Sequence, residues 1–260
     1  MIKSIYWGNM DMNIDQQHVQ QYKILFEKVV ELVSSIKFTV TNDEQKLLHI
    51  FLFRQASLLK AIKALADTKL YYEGCILLTT LIENYILQKW LIRNNKVVDY
   101  VEFGAVESFP RLAFFPEEKA ELLQFIEEHN VKRFLRKQKN GMDLLDKRNY
   151  QAEWRNLTNM VNDLSKYDDK SEVKRLKHSY DLACGYKHSN SYAVLARMTS
   201  VVNQDAIILY KESIFVSICN LFLIDICCSI QGLKEQIKAL YIELGNISKS
   251  DYTSIFASEK

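Results

Sequence analysis

The chain has 260 residues, 48% of them hydrophobic and 25% charged, a balance that suits a folded protein with a substantial core and excludes a disordered one. Lys and Arg number 34 against 32 Asp and Glu, so net charge gives no argument for a nucleic-acid or membrane partner, and any basic surface must be local. Two prolines and seven glycines are too few for the frequent turns of an all-β protein, and the expected fold class is all-α.

From the N-terminus, MIKSIYWGNMDMNIDQ lacks a basic segment followed by an apolar run and a cleavage site, so no secretory signal is expected. Ile14 to Lys37 is the first predicted helix, with Val19, Tyr22, Leu25, Phe26, Val29, Val30 and Val33 at helical intervals. Thr41 and Glu44 read as a capping box for a second helix that runs to about Asp67. The third, Tyr71 to Asn94, is apolar around most of its circumference and should lie between neighbours.

Gly104, Pro110 and Pro116 bracket an irregular stretch, after which Pro116-Glu117-Glu118 starts a peripheral helix to Lys137. Asn140-Gly141 breaks it, and Tyr150 to Tyr167, carrying Trp154, begins the next helical portion. Ser171 to Met198 forms a long or broken helix, and Ala206 to Ile230 an apolar closing one, within which IFVSICNLFLIDICCSI reads as a buried core helix rather than a membrane span. Gly232 punctuates, and a last helix reaches about Leu244. These elements organise as one helical domain over residues 1–245, with a core at about 14–233, a peripheral insertion at about 97–148 and a polar tail at 246–260 that frays. Cys75, Cys184, Cys219, Cys227 and Cys228 lie mostly in apolar helical runs without CxxC pairing, which points to reduced thiols and a cytoplasmic protein.

Chemistry is sought where charge meets core. Leu47, Phe51, Leu58, Ile62 and Leu65 form a stripe in the second helix with Arg54 at its centre, and a helical wheel makes Glu83 its best partner. Such a pair is a structural ion pair, or the floor of a polar pocket; alternatively Arg54 snorkels to solvent. A second constellation is Tyr180 to Asn190, in which Lys177, Asp181, Cys184 and His188 share one helix edge. His188 has an imidazole suited to acid–base work, Asp181 could orient it, and Lys187 or Lys177 could offset phosphate charge; a histidine beside Ser189 and Asn190 also suits a helix end. The densest basic run is Lys132, Arg133, Arg136, Lys137 and Lys139, with Lys147, Arg148 and Arg155 nearby, and it reads as a solvated helix end or as a phosphate-contacting surface. Trp154 is a packing residue or, with Tyr150 and Arg155, a base-stacking platform. No HExxH, GxxxxGK[ST] or GxSxG occurs, and no metal site is expected.

Three segments in this order, EGCILLTTLIENYILQKWL, AEWRNLTNMVNDL around Trp154 and YDLACGYKHSNSY around His188, resemble a bacterial helical domain-of-unknown-function family, number 5677, over about residues 50–233. The arrangement also resembles HEPN proteins, helical domains that often serve as ribonucleases in toxin–antitoxin and anti-phage systems. Their usual signature, an arginine shortly before a histidine, is not present, since Asp181, Leu182 and Ala183 stand where that arginine would precede His188.

The resemblance implies a HEPN-like helical bundle with peripheral helices, acting in bacterial antiviral defence or stress response on RNA or another phosphate-containing ligand. His188, Lys187 and Glu83 would then carry any catalysis, and Arg54, Tyr180, Asp181, Trp154 and Arg155 would bind. The alternative is a non-catalytic interaction protein, either a homo-oligomer or a subunit of a defence complex. No cofactor and no membrane partner are expected.

Overall fold

The computed structural model describes residues 16–108, 116–129, 154, 156–166, 170–187 and 202–257. Among these the chain is all-α, with nine helices and no strand: α1 (Gln16–Ser35), α2 (Asp43–Asp67), α3 (Tyr71–Arg93), α4 (Val97–Ser108), α5 (Pro116–Glu128), α6 (Leu157–Leu164), α7 (Lys170–Lys187), α8 (Val202–Cys228) and α9 (Leu233–Ala257). The basic run at 132–139, the Asn140-Gly141 break, Tyr150, Arg155, His188 and the extension of α7 to Met198 lie outside the described residues.

Helix ends follow local chemistry. The start of α2 is set one residue later than the Thr41/Glu44 box: the Asn42 side chain accepts from Gln45 N–H at 2.8 Å, and Gln45 Oε1 in turn accepts from Thr41 N–H at 2.9 Å and its hydroxyl at 2.7 Å. At its other end Lys69 takes φ 60°, letting Leu70 N–H reach Leu65 O at 2.8 Å and Lys69 N–H reach Ala66 O at 3.0 Å. The same device closes α3 at Asn95, with φ 54° and a Lys96 N–H to Leu91 O bond of 2.8 Å.

The described residues group into two compact units, one drawn from 1–38, 52–82 and 179–260, the other from 39–51 and 83–178. In the first, α1 and α8 pack on each other and both pack on α9. Tyr22, Leu25, Phe26, Val29, Val30 and Val33 form the buried face of α1, as its periodicity requires. Phe26 lies 5.3 Å and Tyr71 lies 6.2 Å, ring to ring, from Tyr210 of α8, and burial first, then the charges of Tyr71, Asp67 and Glu27, push the Tyr210 phenol well up. Gly74 of α3 is needed for close packing, because a Cβ there would stand 2.5 Å from Leu209 Cδ2.

Helix α8 is the apolar closing helix. Asp205–Cys228 is long and apolar enough to cross a membrane, with a mean hydropathy of 1.8, yet every residue from Ser213 to Leu221 is buried within this unit. Helix α9 runs to Ala257, into the segment expected as a polar tail, with Ile247 buried and Ser248 sharing a 3.2 Å hydrogen bond with Tyr22. Lys28 adds bonds of 2.7 and 3.0 Å to Glu243.

The second unit is organised around Trp154. Its ring lies 5.4 Å from Phe103, 5.8 Å from Tyr100 and 6.4 Å from Trp90, and Met160, Val161, Leu164, Val173 and Leu176 bury the inner sides of α6 and α7. Phe103 belongs to α4, whose last turns, from Gly104 to Ser108, run into the stretch expected to be irregular. Val97 and Phe103 are buried there, and that packing outweighs the low helix propensity of valine and of Gly104. Residue 156 is extended rather than helical, at φ −112° and ψ 103°, because Asn156 caps α6 through a 3.1 Å bond from Asn159 N–H.

Candidate functional site

The second unit carries an open pocket of about 450 Å³ lined by Trp90, Asn159, Met160, Asn162, Asp163 and Lys166. Helix periodicity builds it. With Asn156 fixing the first turn of α6, Asn159, Asn162, Asp163 and Lys166 recur at three- and four-residue steps and share one side, while Trp90 comes from the last turns of α3. Trp90 and Met160 are buried and form the apolar part, whereas the amides of Asn159 and Asn162 and the Lys166 ammonium are exposed.

Asp163 holds the polar part in place. Its Oδ1 accepts from Lys166 Nζ at 3.1 Å, and its Oδ2 accepts from Trp90 Nε1 at 3.0 Å. These bonds, that of Lys166 foremost and with a further one from Asn94, outweigh partial burial and hold the Asp163 carboxyl below the usual carboxylate range. The carboxylate is thus kept ionised, the indole ring is fixed in orientation, and a cation is set at the pocket rim.

Just before Trp90 on α3, Tyr85 and Lys89 reach α7, whose Glu172 accepts from Tyr85 Oη at 2.6 Å and from Lys89 Nζ at 2.9 Å, and Lys89 stands 5.8 Å from the Tyr85 ring centre. The pair is partly shielded, with side chains 16% and 27% exposed, and joins α3 to α7, so removing one partner would leave the other's charge part-buried. Helix α7 carries Lys170, Lys174, Arg175, Lys177 and Lys187 against only Glu172 and Asp181, and Glu172 is already engaged. Its excess of cations makes it a basic element next in sequence to the pocket helix.

The expected site residues are placed as follows. Arg54 is exposed, which corrects its reading as a charge within the apolar face of α2. Leu47, Phe51 and Ile62 of the expected stripe are buried, together with Leu48, Leu52, Leu59 and Ala66, but midway along the helix the buried position is Gln55, 2% exposed, one residue on from Arg54. The guanidinium therefore reaches water and needs no buried partner.

Glu83 is half-buried on α3. Trp154 is only 7% exposed and enclosed by three aromatic rings, so it packs and presents no free face for stacking. Tyr180 is half-buried and Asp181 exposed on the later turns of α7, which Ser179 anchors by a 2.6 Å bond to Glu212 of α8. Lys187 is the last residue of that helix, and His188 and Arg155 fall outside the described residues.

None of these expected residues lines the pocket. The lining residues were missed because Asn159, Asn162 and Lys166 look like an ordinary solvated helix side in sequence. The available signal was the Asn and Asp spacing in LTNMVNDL, with a lysine one turn on.

Two thiols are poor nucleophiles. Burial, then Asp205 and Glu73, pushes Cys75 far up, and burial, then Cys227 and Asp225, raises Cys228 to about 11. No group of three or more His, Cys, Asp or Glu side chains suited to a metal occurs among the described residues.

Residues 45–205 match the model of a family described as Family of unknown function (DUF5677). The chain belongs to this family. The matched DUF5677 region contains α3, α6 and α7, and so all the residues that line the pocket and all those of the Tyr85–Lys89–Glu172 cluster. No curated protein and no solved structure matches the chain.

Proposed function

We propose that this DUF5677 protein binds RNA through its phosphates at the α6–α7 surface of the second unit, as a HEPN-like protein of bacterial defence or stress response. The observation that carries the reading is the open pocket whose exposed rim holds the Asn159 and Asn162 amides and Lys166, a cation that is 66% exposed even while bonded to Asp163 of the same lining. A lysine supplies charge to a phosphate oxygen, and carboxamides donate to phosphate or read a base edge. The basic α7 that follows in sequence adds the exposed Lys174 of the same unit to the cations open to a phosphate backbone.

The test is fluorescence anisotropy with a labelled single-stranded RNA over a salt series. Lys166→Gln removes the rim charge at an exposed position, so it should weaken binding and lower the salt slope by about 0.7 for one lost phosphate contact. Unchanged affinity and slope would remove the pocket from the reading. Catalysis is a separate question: His188→Ala should alter the products from total RNA if His188 moves the proton of a 2′-hydroxyl, and identical RNA profiles would leave binding alone.

A second reading, self-association, is favoured by exposed apolar side chains in the first unit, Phe222 and Ile226 on α8 and Tyr241 and Ile242 on α9. Light scattering behind a sizing column distinguishes it. A second copy of the chain docked there would be lost in Phe222→Ser/Ile226→Ser, and a monomeric wild-type protein would refute it.

A further inference from the structure

The Lys166 ammonium at the pocket rim does not act on a ligand unopposed. Asp163, three residues earlier, accepts from it at 3.1 Å, and this carboxylate lines the same pocket with its side chain 27% exposed. Its bonds hold it below the usual carboxylate range, so at neutral pH it is ionised and the lining carries one positive and one negative charge. The exposed amides of Asn159 and Asn162 add none. Fixing the Trp90 indole does not call for that negative charge, because Oδ2 accepts from Nε1 at 3.0 Å and the neutral carbonyl of an asparagine accepts in the same way. The charge therefore has a consequence of its own for whatever enters the pocket.

We propose that Asp163 is a specificity-determining residue, a charge filter that cancels the advantage of a doubly charged terminal phosphate over the singly charged phosphodiester inside an RNA strand. The inference rests on the RNA-binding reading above and says which phosphates that site takes. An anion that reaches Lys166 gains attraction in proportion to its charge and, from the carboxylate beside the lysine, loses in the same proportion. Doubling the charge on the ligand then brings no net gain. Hydrogen bonds from the Asn159 and Asn162 amides remain, and they are open to a diester as to a terminal phosphate. With a neutral side chain at 163 the attraction would grow with ligand charge. A factor gained by a diester would become about its square for a terminal phosphate, which is mostly dianionic at neutral pH because its second pKa is about 6. The carboxylate thus favours strand interiors over free nucleotides and strand ends.

The experiment titrates the full chain with AMP, a terminal phosphate, and with 3′,5′-cyclic AMP, a diester of the same nucleoside, following the Trp90 indole N–H by NMR at neutral pH and low salt. Wild type should bind the two with similar affinity. Asp163→Asn, which keeps an acceptor for the indole, should bind cyclic AMP roughly threefold more tightly, the effect of one unit charge about 6 Å away in water, and AMP roughly tenfold. Asn159→Asp adds a second carboxylate at an exposed first-turn position that suits one, and keeps the test open if Asp163→Asn does not fold. It should weaken AMP more than cyclic AMP. Wild type that prefers AMP severalfold, an affinity ratio unmoved by either substitution, or no indole response to either nucleotide overturns the filter. A purely structural Asp163 would change stability and leave the ratio alone. Lys166→Gln separates the two claims: if it leaves RNA binding unchanged, the pocket reading falls and the filter with it, whereas weaker RNA binding beside an unmoved ratio sinks the filter alone.

Discussion

Replacing Trp154 separates its two sequence readings, packing and base stacking. The indole is 7% exposed and lies 5.4, 5.8 and 6.4 Å from the rings of Phe103, Tyr100 and Trp90. A buried tryptophan removes roughly 200 Å² of apolar surface from water, worth about 5 kcal/mol at ~25 cal/mol per Å². Residual compactness of the unfolded chain reduces that by roughly 10–40%. The ring pairs add about 0.5–1.5 kcal/mol each, but they share one side chain and do not sum freely. Trp154→Ala should therefore cost about 3–5 kcal/mol, the range of aromatic-to-alanine changes in cores. In a chain of this size that is a fall in melting temperature of roughly 6–20 °C.

Trp154→Phe keeps an aromatic ring in the cluster and should lose only a minor part of that. Calorimetry or thermal circular dichroism measures both, and RNA affinity measured on the folded Phe variant should match wild type. A loss of stability below about 1 kcal/mol in the Ala variant, or a tenfold loss of RNA affinity in the Phe variant, would refute the packing assignment.

Gly74→Ala should destabilise by no more than about 1–2 kcal/mol, because its Cβ would meet Leu209 Cδ2 at 2.5 Å and force that buried side chain to turn, while alanine's better helix propensity offsets about 1 kcal/mol; denaturant unfolding reads this directly. Lys69→Gly should raise stability by about 1 kcal/mol in the same assay, since a left-handed φ of 60° strains any residue with a Cβ. Asp163 titrates below the usual carboxylate range when folded, so its contribution is present above the unfolded value of about 3.9 and fades as pH falls through the lower folded value. Wild type should accordingly exceed Asp163→Asn in stability at neutral pH, with the gap closing in acid; a gap that widens in acid would contradict the assigned cause.

The helical framework was legible in the sequence because burial at 3.6-residue spacing leaves a pattern that α1 displays openly, while α3 stands out as a long run apolar on nearly all sides. Phase was harder than type. In α2 two apolar stripes lie one residue apart, and reading along the one through Arg54 placed a charge where the fold buries Gln55. The capping of α2 slipped by the same single residue, because Thr41 and Asn42 are both competent caps and only geometry chose Asn42. Helix α4 escaped notice since a short valine-rich run with Gly104 has weak propensity and is stabilised by packing of Phe103 on Trp154. The pocket was illegible for a different reason. Trp90 and Asp163 are more than 70 residues apart, and no local pattern says that the indole of one meets the carboxylate of the other.

The most direct measurement of the central claim is an anisotropy titration of labelled single-stranded RNA with wild type and Lys166→Gln at several salt concentrations. Binding at the pocket rim predicts that the variant binds more weakly, that its salt slope is shallower, and that its thermal stability barely changes. Equal affinity and equal slope for the two proteins, or no RNA binding by wild type at low salt, would contradict it.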